Sequence, residues 1–264
     1  MLTVLKLGGE LLDDAAAVRS AAAAIVRLAA RSPLVVVHGG GRAIDAELRA
    51  RGEQPSFVDG LRITDAPALE AAVSVLAGRN NTALVAAIGA AGGRAVGLTG
   101  ADDRLGLVSK AESFTTVAGQ TVDLGFVGQP DGGDASLLTD LLRIGCTPIV
   151  ASIGVSRDGD LLNVNADTLA AHLAGIIGAA RLIIAGATAG GLDRDGAVVP
   201  TLSLDAVDRM IASGEAHSGM VAKLTACRAA LRSGVREVAV VAGRAVDDFD
   251  AAVGTVICRE LVTT

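Results

Sequence analysis

The sequence predicts an α/β fold, a mainly parallel sheet covered by helices on both faces. Short apolar runs rich in Val, Leu and Ile alternate with Ala-rich stretches of helical periodicity from end to end. Two early runs stop on bare glycines, at Lys6-Leu7-Gly8-Gly9 and at His38-Gly39-Gly40-Gly41. Ligands of such sheets sit at the carboxyl ends of the strands, so both glycine turns fall where a site is expected. At 264 residues the chain can bury a large core, in one domain or two lobes.

Leu2–Leu7 reads as the first strand, and Ala15–Arg31 as a helix with Asp13 or Asp14 at its N-cap. Leu34–His38 is a β-branched strand, the three glycines follow, and Arg42–Arg51 is the next helix. Ala66–Ala77 and Asn81–Ala91 read as two helices, and Arg94–Leu98 as a strand. Residues 113–127 alternate and carry turn signals, which predicts a small antiparallel ribbon. Gly128–Asp134 is the most turn-rich stretch and reads as a surface loop. Leu137–Ile144 is helical, Thr147–Ser152 a strand, Asp167–Leu173 the start of a helix and Arg181–Ala185 an apolar strand. Leu204–Ser213 and Met220–Ser233 read as helices. Glu237–Val241 is a strand, and Gly254–Arg259 adds another.

Composition narrows the functional classes. The chain is 51% hydrophobic but only 2% aromatic, so Ala, Val, Leu and Ile must build the core. Trp and Tyr are absent, which argues against stacking on nucleic-acid bases. The net charge of −6 argues against a nucleic-acid or anionic-membrane surface. Cys146, Cys227 and Cys258 are odd in number and widely spaced, the pattern of reduced thiols in a cytoplasmic protein. The chain opens directly on a strand without a signal-peptide pattern. No apolar run reaches the roughly 20 residues that span a bilayer.

Four segments carry the chemistry. A strand that ends in bare glycines exposes its N–H groups, and the helix that follows adds its positive dipole end, which makes a place for phosphate oxygens. Tight packing of a strand–helix turn also asks for glycine. Esterase oxyanion loops read HGGG as well, but they need a G-x-S-x-G elbow that this chain lacks. Lys6 lies in an otherwise apolar strand and must reach the rim or meet an anion. Lys223 lies one turn into a helix after Ser218-Gly219, where the dipole disfavours a cation unless an anion is near; plain solvation is the alternative. Asn163, Asn165 and Asp167 alternate and would share one face of an extended segment. Asparagine gives a polar substrate both donor and acceptor, while Asp167 either caps the next helix or holds the two lysines. His38, His172 and His217 read as structural.

The combination of KLGG at 6–9, VHGGG at 37–41, GLRITDA at 60–66, SIGV at 152–155, DLLNVNAD at 160–167, GLD at 191–193 and GMVAK at 219–223 resembles the acetylglutamate kinases of the amino acid kinase family, along the whole chain. GLRIT separates them from carbamate kinases, uridylate kinases and aspartokinases. The resemblance implies a three-layer αβα sandwich with an open, mainly parallel eight-stranded sheet. It implies one domain over residues 1–264, with an acyl-amino-acid-binding lobe over 1–170 and a nucleotide-binding lobe over 171–264. It makes Lys6, Lys223 and Asp167 catalytic, Asp167 organising the two lysines. Gly40, Gly41, Arg62 and Asn163 bind the acceptor, and Arg62 suits its α-carboxylate because a guanidinium grips a carboxylate with two bonds. Gly8, Gly9, Ala187, Thr188, Gly190, Gly191, Leu192, Glu215, Ala216 and His217 bind nucleotide and phosphate. Ala187 stands where the family carries an acid, which removes a side-chain contact to ribose or metal and leaves the backbone contacts.

The implied reaction passes a phosphoryl group from ATP to the side-chain carboxylate of N-acetyl-L-glutamate, a step of arginine biosynthesis. A glutamate carboxyl titrates near ~4.3 and is already ionised at neutral pH, so no general base is needed. Magnesium would be held mainly by the phosphates, without a protein metal site. N-succinylglutamate or aminoadipate-type acceptors stay open at this point, as does a non-catalytic amino-acid-sensing module. The extra amino-terminal helix of arginine-inhibited members is not in the sequence, so the resemblance implies a cytoplasmic homodimer without arginine feedback, and no nucleic-acid or membrane partner.

Overall fold

A computed structural model of the protein describes residues 1–116, 119–188, 190–191, 198–213 and 218–259. The first half contains β1 (Thr3–Leu7), α1 (Ala15–Ala29), β2 (Leu34–His38), α2 (Gly41–Ala50), the hairpin β3 (Ser56–Val58) and β4 (Leu61–Ile63), α3 (Ala66–Val73), α4 (Asn81–Ala90), β5 (Ala95–Thr99), β6 (Val108–Lys110), β7 (Phe114–Thr115), β8 (Thr121–Val122) and β9 (Val127–Pro130). The second half contains α5 (Ser136–Arg143), β10 (Thr147–Ala151), β11 (Ile153–Val155), β12 (Leu161–Val164), α6 (Ala166–Ile176), β13 (Arg181–Gly186), β14 (Thr201–Ser203), α7 (Leu204–Ser213), α8 (Ser218–Arg232), β15 (Glu237–Ala242) and β16 (Gly254–Cys258).

Eight strands form one sheet in the order β14-β16-β15-β13-β1-β2-β10-β5. Its neighbours run parallel except β15 with β16. Alternation along the strands feeds two cores. Leu5, Leu7, Val36, Ile183 and Val241 pack under Ile25 and Leu28 of α1 and Leu84 and Ile88 of α4. Val4, Val35, Ile184 and Val240 pack under Leu169 and Leu173 of α6 and Leu224 and Leu231 of α8. Alanine is the main filler on the helix faces (Ala21, Ala22 and Ala24 on α1), so helices and sheet approach closely without aromatic bulk. Asp14, one of the two expected caps, accepts the N–H groups of Ala16 and Ala17.

Three features differ from the sequence expectation. Gly128–Asp134 is not wholly a loop, because Val127–Pro130 is a strand of a second sheet ordered β11-β12-β9-β6. Its pairing partners are distant in sequence, so local turn residues hid it. The two helices expected around Ala66–Ala91 are one continuous helix, joined by a π turn over Ser74–Asn80. Ala66–Ala90 thus has 25 residues and is long and apolar enough to cross a membrane by length and composition alone, although 44% of its most apolar 18-residue stretch is buried inside the fold. Thr201–Ser203 is too short to read as a strand and exists by pairing with β16. The expected ribbon is present as β7 with β8.

Candidate active site

Both glycine turns sit at the carboxyl edge of the sheet, on neighbouring strands. Gly9 and Gly40 meet backbone to backbone: a Cβ on Gly9 would lie 2.7 Å from Gly40 Cα. His38, fully buried below this contact, donates from Nδ1 to Gly39 O and accepts from Asn81 Nδ2 at Nε2, each at 3.2 Å, in the tautomer these partners select. Burial pushes its pKa down to about 4, so the ring is neutral and structural.

Lys6 does not snorkel to the rim. Its Nζ is 2.9 Å from Asp167 Oδ1, in an ion pair almost closed to solvent. The contact is ionic rather than an aligned hydrogen bond, since Oδ1 has no partner of hydrogen-bond geometry. Asp167 does not cap its helix. Asn165 does, accepting the N–H groups of Asp167 and Thr168. The chain therefore turns helical at Ala166, and the extended alternation of Asn163, Asn165 and Asp167 does not persist, yet all three line one cavity.

That cavity, of 240 Å³, lies between the glycine turns, the β3–β4 hairpin and the start of α6. Arg62 enters it from β4. Its Nη2 donates to Asp45 Oδ1 at 2.5 Å and to Gly41 O at 3.1 Å. Phe57 stacks on the guanidinium, with Cζ 4.6 Å from the ring centre. Nη1 is buried and has no partner. An unpaired buried donor on a cation asks for an anionic acceptor. Asn163 donates from Nδ2 to the buried Thr64 hydroxyl at 3.1 Å, which fixes the amide on the cavity wall.

Lys223 reaches the same edge from α8. Its Nζ donates to Thr188 Oγ1 at 3.3 Å and lies 3.6 Å from the point a Cβ on Gly186 would occupy. Gly186 ends β13, the strand beside β1. Asp167 pairs with only one of the two lysines among the described residues: it touches Lys6. Cys227, one turn beyond Lys223, is buried, and its thiol is pushed up to about 12, chiefly by burial and then by the charge of Asp167, which makes it unreactive. Gly8 N–H donates to Ala185 O, tying the first glycine turn to the end of β13. Ala187 and Thr188 are exposed beside Lys223. Gly190 and Gly191 are buried against Thr255, where a Cβ on Gly190 would lie 2.2 Å from Oγ1; close packing by itself accounts for that glycine. Leu192, Glu215, Ala216 and His217 lie outside the described residues.

The sequence reading missed Asp45, Phe57 and Glu10. Asp45 lies one turn along α2 from Gly41, a spacing that turns it back toward the glycines, but only the fold brings Arg62 to it. A larger groove of 580 Å³ lies between α1, α2 and α4, and two of the three arginines on its wall, Arg42 and Arg79, are paired to Asp13 and Glu47. Among the described residues no cluster of three His, Cys, Asp or Glu side chains could hold a metal ion.

Comparison with known proteins bears on the family and the fold. The sequence model of the amino acid kinase family matches residues 1–242. An acetylglutamate kinase of Erythrobacter litoralis is 40% identical over 247 residues, covering 91% of this chain and 82% of that protein. One from Afipia carboxidovorans is 41% identical over 249 residues, covering 91% and 83%. Among solved structures, N-acetylglutamate synthase of Neisseria gonorrhoeae superposes with a TM-score of 0.83 at 24% identity, covering 98% of this chain and 59% of the synthase. Giardia carbamate kinase superposes at 0.70 with 15% identity, covering 98% and 99%. Both structural likenesses concern the fold.

Proposed function

The chain belongs to the amino acid kinase family, and we propose that it transfers the γ-phosphoryl group of ATP to the side-chain carboxylate of N-acetyl-L-glutamate, giving N-acetyl-L-glutamyl 5-phosphate and ADP in arginine biosynthesis. The observation that carries this reading is one cavity with two cations. Arg62, with its buried free Nη1, and Lys6, held by Asp167, line the same 240 Å³ space. A short dicarboxylate fits such a space, one carboxylate on each cation. The name of the relatives, acetylglutamate kinase, supports that acceptor.

The chemistry follows from charge. Acceptor and nucleotide are both anions, so catalysis consists of positioning and neutralisation. Arg62 holds the α-carboxylate and Asn163 orients the acceptor. The N–H groups of Gly40 and Gly41, at the start of α2, and the ammonium of Lys6 meet the reacting oxygens. Lys223 meets the phosphates from the β13 side. Magnesium, when bound with the nucleotide, would neutralise the phosphate oxygens. Gly8 and Gly186 bring no side chain of their own to the strand ends, which suits such a group, and the one carboxylate that overhangs both is that of Glu10. In this reading the amino-terminal part through α6 serves the acceptor and the remainder serves the nucleotide.

An ADP-release assay tests the proposal. N-acetyl-L-glutamate supports turnover, while N-succinylglutamate and aminoadipate-type acceptors support less. Absence of turnover with all three refutes it. The same reading makes the protein a cytoplasmic homodimer, in which the edge strand β5 offers unpaired backbone groups to a second copy; light scattering checks the mass.

A further inference from the structure

Glu10 brings a carboxylate to the place where this reading puts phosphate oxygens. Its Oε1 accepts Ala187 N–H at 2.8 Å. The carboxyl group lies flat over Gly8, where a Cβ would fall 2.5 Å from Oε1 and from Oε2. It also overhangs Gly186, where a Cβ would fall 3.1 Å from Oε1 and 3.6 Å from Lys223 Nζ. Gly8 follows Lys6 by two residues, and Gly186 follows Ile184, the register partner of Lys6. By strand alternation all four face the same side of the sheet. Among the described residues neither Glu10 nor Lys223 has an ion pair; Lys223 donates to Thr188 instead. A carboxylate and a cation thus approach one spot above Gly186 without meeting.

Carboxylate and phosphate oxygens compete for the same donors, backbone N–H and ammonium. We propose that Glu10 stands in for a phosphate oxygen on the Ala187 N–H in the ligand-free enzyme and yields that donor when a nucleoside di- or triphosphate binds, so that Glu10 sets nucleotide affinity. The inference rests on the kinase reading of the site. Phosphates carry more charge than one carboxylate, and with Lys223 beside them they win the N–H. Like charge then drives Glu10 away. The side chain has a place to go. A 430 Å³ groove lined by Glu10, Asp14 and Arg244 adjoins it. Arg244 is exposed and has no ion pair among the described residues.

Calorimetric titration with ADP and Mg²⁺ tests the proposal on wild type, Glu10→Ala and Glu10→Gln, with inorganic pyrophosphate as a second probe. Glu10→Ala binds ADP about tenfold tighter, the size of losing one charge-assisted competitor. Glu10→Gln, which keeps an acceptor for Ala187 N–H and removes only the charge, falls between and serves if the alanine variant unfolds. Arg244→Ala weakens ADP binding in the wild type and has no effect in Glu10→Ala. Unaltered N-acetylglutamate binding shows that each variant is folded. ADP affinity in Glu10→Ala equal to or weaker than wild type overturns the proposal, as does an equal effect of Arg244→Ala in both backgrounds. If wild type and variants all fail to bind ADP, the kinase reading fails and takes the inference with it.

Discussion

The carboxylate of Asp45 lies 2.5 Å from Nη2 of Arg62, while Nη1 of the same guanidinium stays buried and unpartnered. One half of the fork is fixed and the other is left for a ligand. Asp45→Asn removes the charge that fixes it. The KM for N-acetylglutamate then rises about tenfold or more and the KM for ATP stays put, the size of one charged hydrogen bond. Arg62→Lys has a larger effect in the same direction, because an ammonium cannot bridge Asp45 and the acceptor at once. A selective rise in the KM for ATP would contradict the placement.

Lys6 and Lys223 differ in what their removal leaves behind. Either alanine variant lowers kcat by roughly 10²–10³, as loss of a charge-stabilising donor does. Lys6→Ala also strands a buried carboxylate on Asp167, so the fold loses about 3 kcal/mol. Lys223 is bonded only weakly, to an exposed threonine, and its loss leaves stability unchanged within about 0.5 kcal/mol. Urea unfolding beside steady-state kinetics separates the two; equal destabilisation would refute the distinction.

Gly9 touches the Cα of Gly40, so a methyl group there meets backbone rather than a movable side chain. Gly9→Ala forces the two glycine turns apart. Overpacking of this kind costs about 1–3 kcal/mol. Turnover falls with stability, since both turns face the site. A crystal structure of the variant with unchanged turns would count against this account.

His38 gives stability a pH dependence with a definite sign. Its folded pKa is about 4, below the ordinary 6.5. Between those values the unfolded chain holds a proton that the native chain does not. The contribution is complete above pH 6.5 and is lost as pH falls toward 4, at up to roughly 1.4 kcal/mol per pH unit. The carboxylates with lowered pKa (Asp14, Asp123, Asp134 and Asp248) act below that window. His38→Gln therefore flattens the slope of unfolding free energy between pH 7 and 5; a slope equal to wild type would exclude His38 as its source.

Much of this was legible in the chain. The alternation of apolar runs and Ala-rich helices marked the main strands and helices within a few residues, because burial on both faces leaves a continuous Val/Leu/Ile signature. The glycine turns were visible because bare glycines at a strand end have few other uses. The second sheet was not visible. Val127–Pro130 carries turn residues and is a strand only because β6 and β12 lie beside it. The helix cap moved from Asp167 to Asn165 for a comparable reason: the Lys6 ammonium, far away in sequence, takes the aspartate.

The kind of chemistry was already readable from the residues alone, since two lysines, an arginine and exposed glycine N–H groups gather anions. Tertiary structure decided the pairings: Asp45 with Arg62, Asp167 with Lys6 rather than Lys223, and Glu10 on the N–H of Ala187. The reason is range. Composition and periodicity report what each segment buries locally. Lys6 and Asp167, or Glu10 and Ala187, meet across more than a hundred residues through strand order and register, and Arg62 reaches Asp45 only because the β3–β4 hairpin folds back over α2; no local pattern encodes any of these.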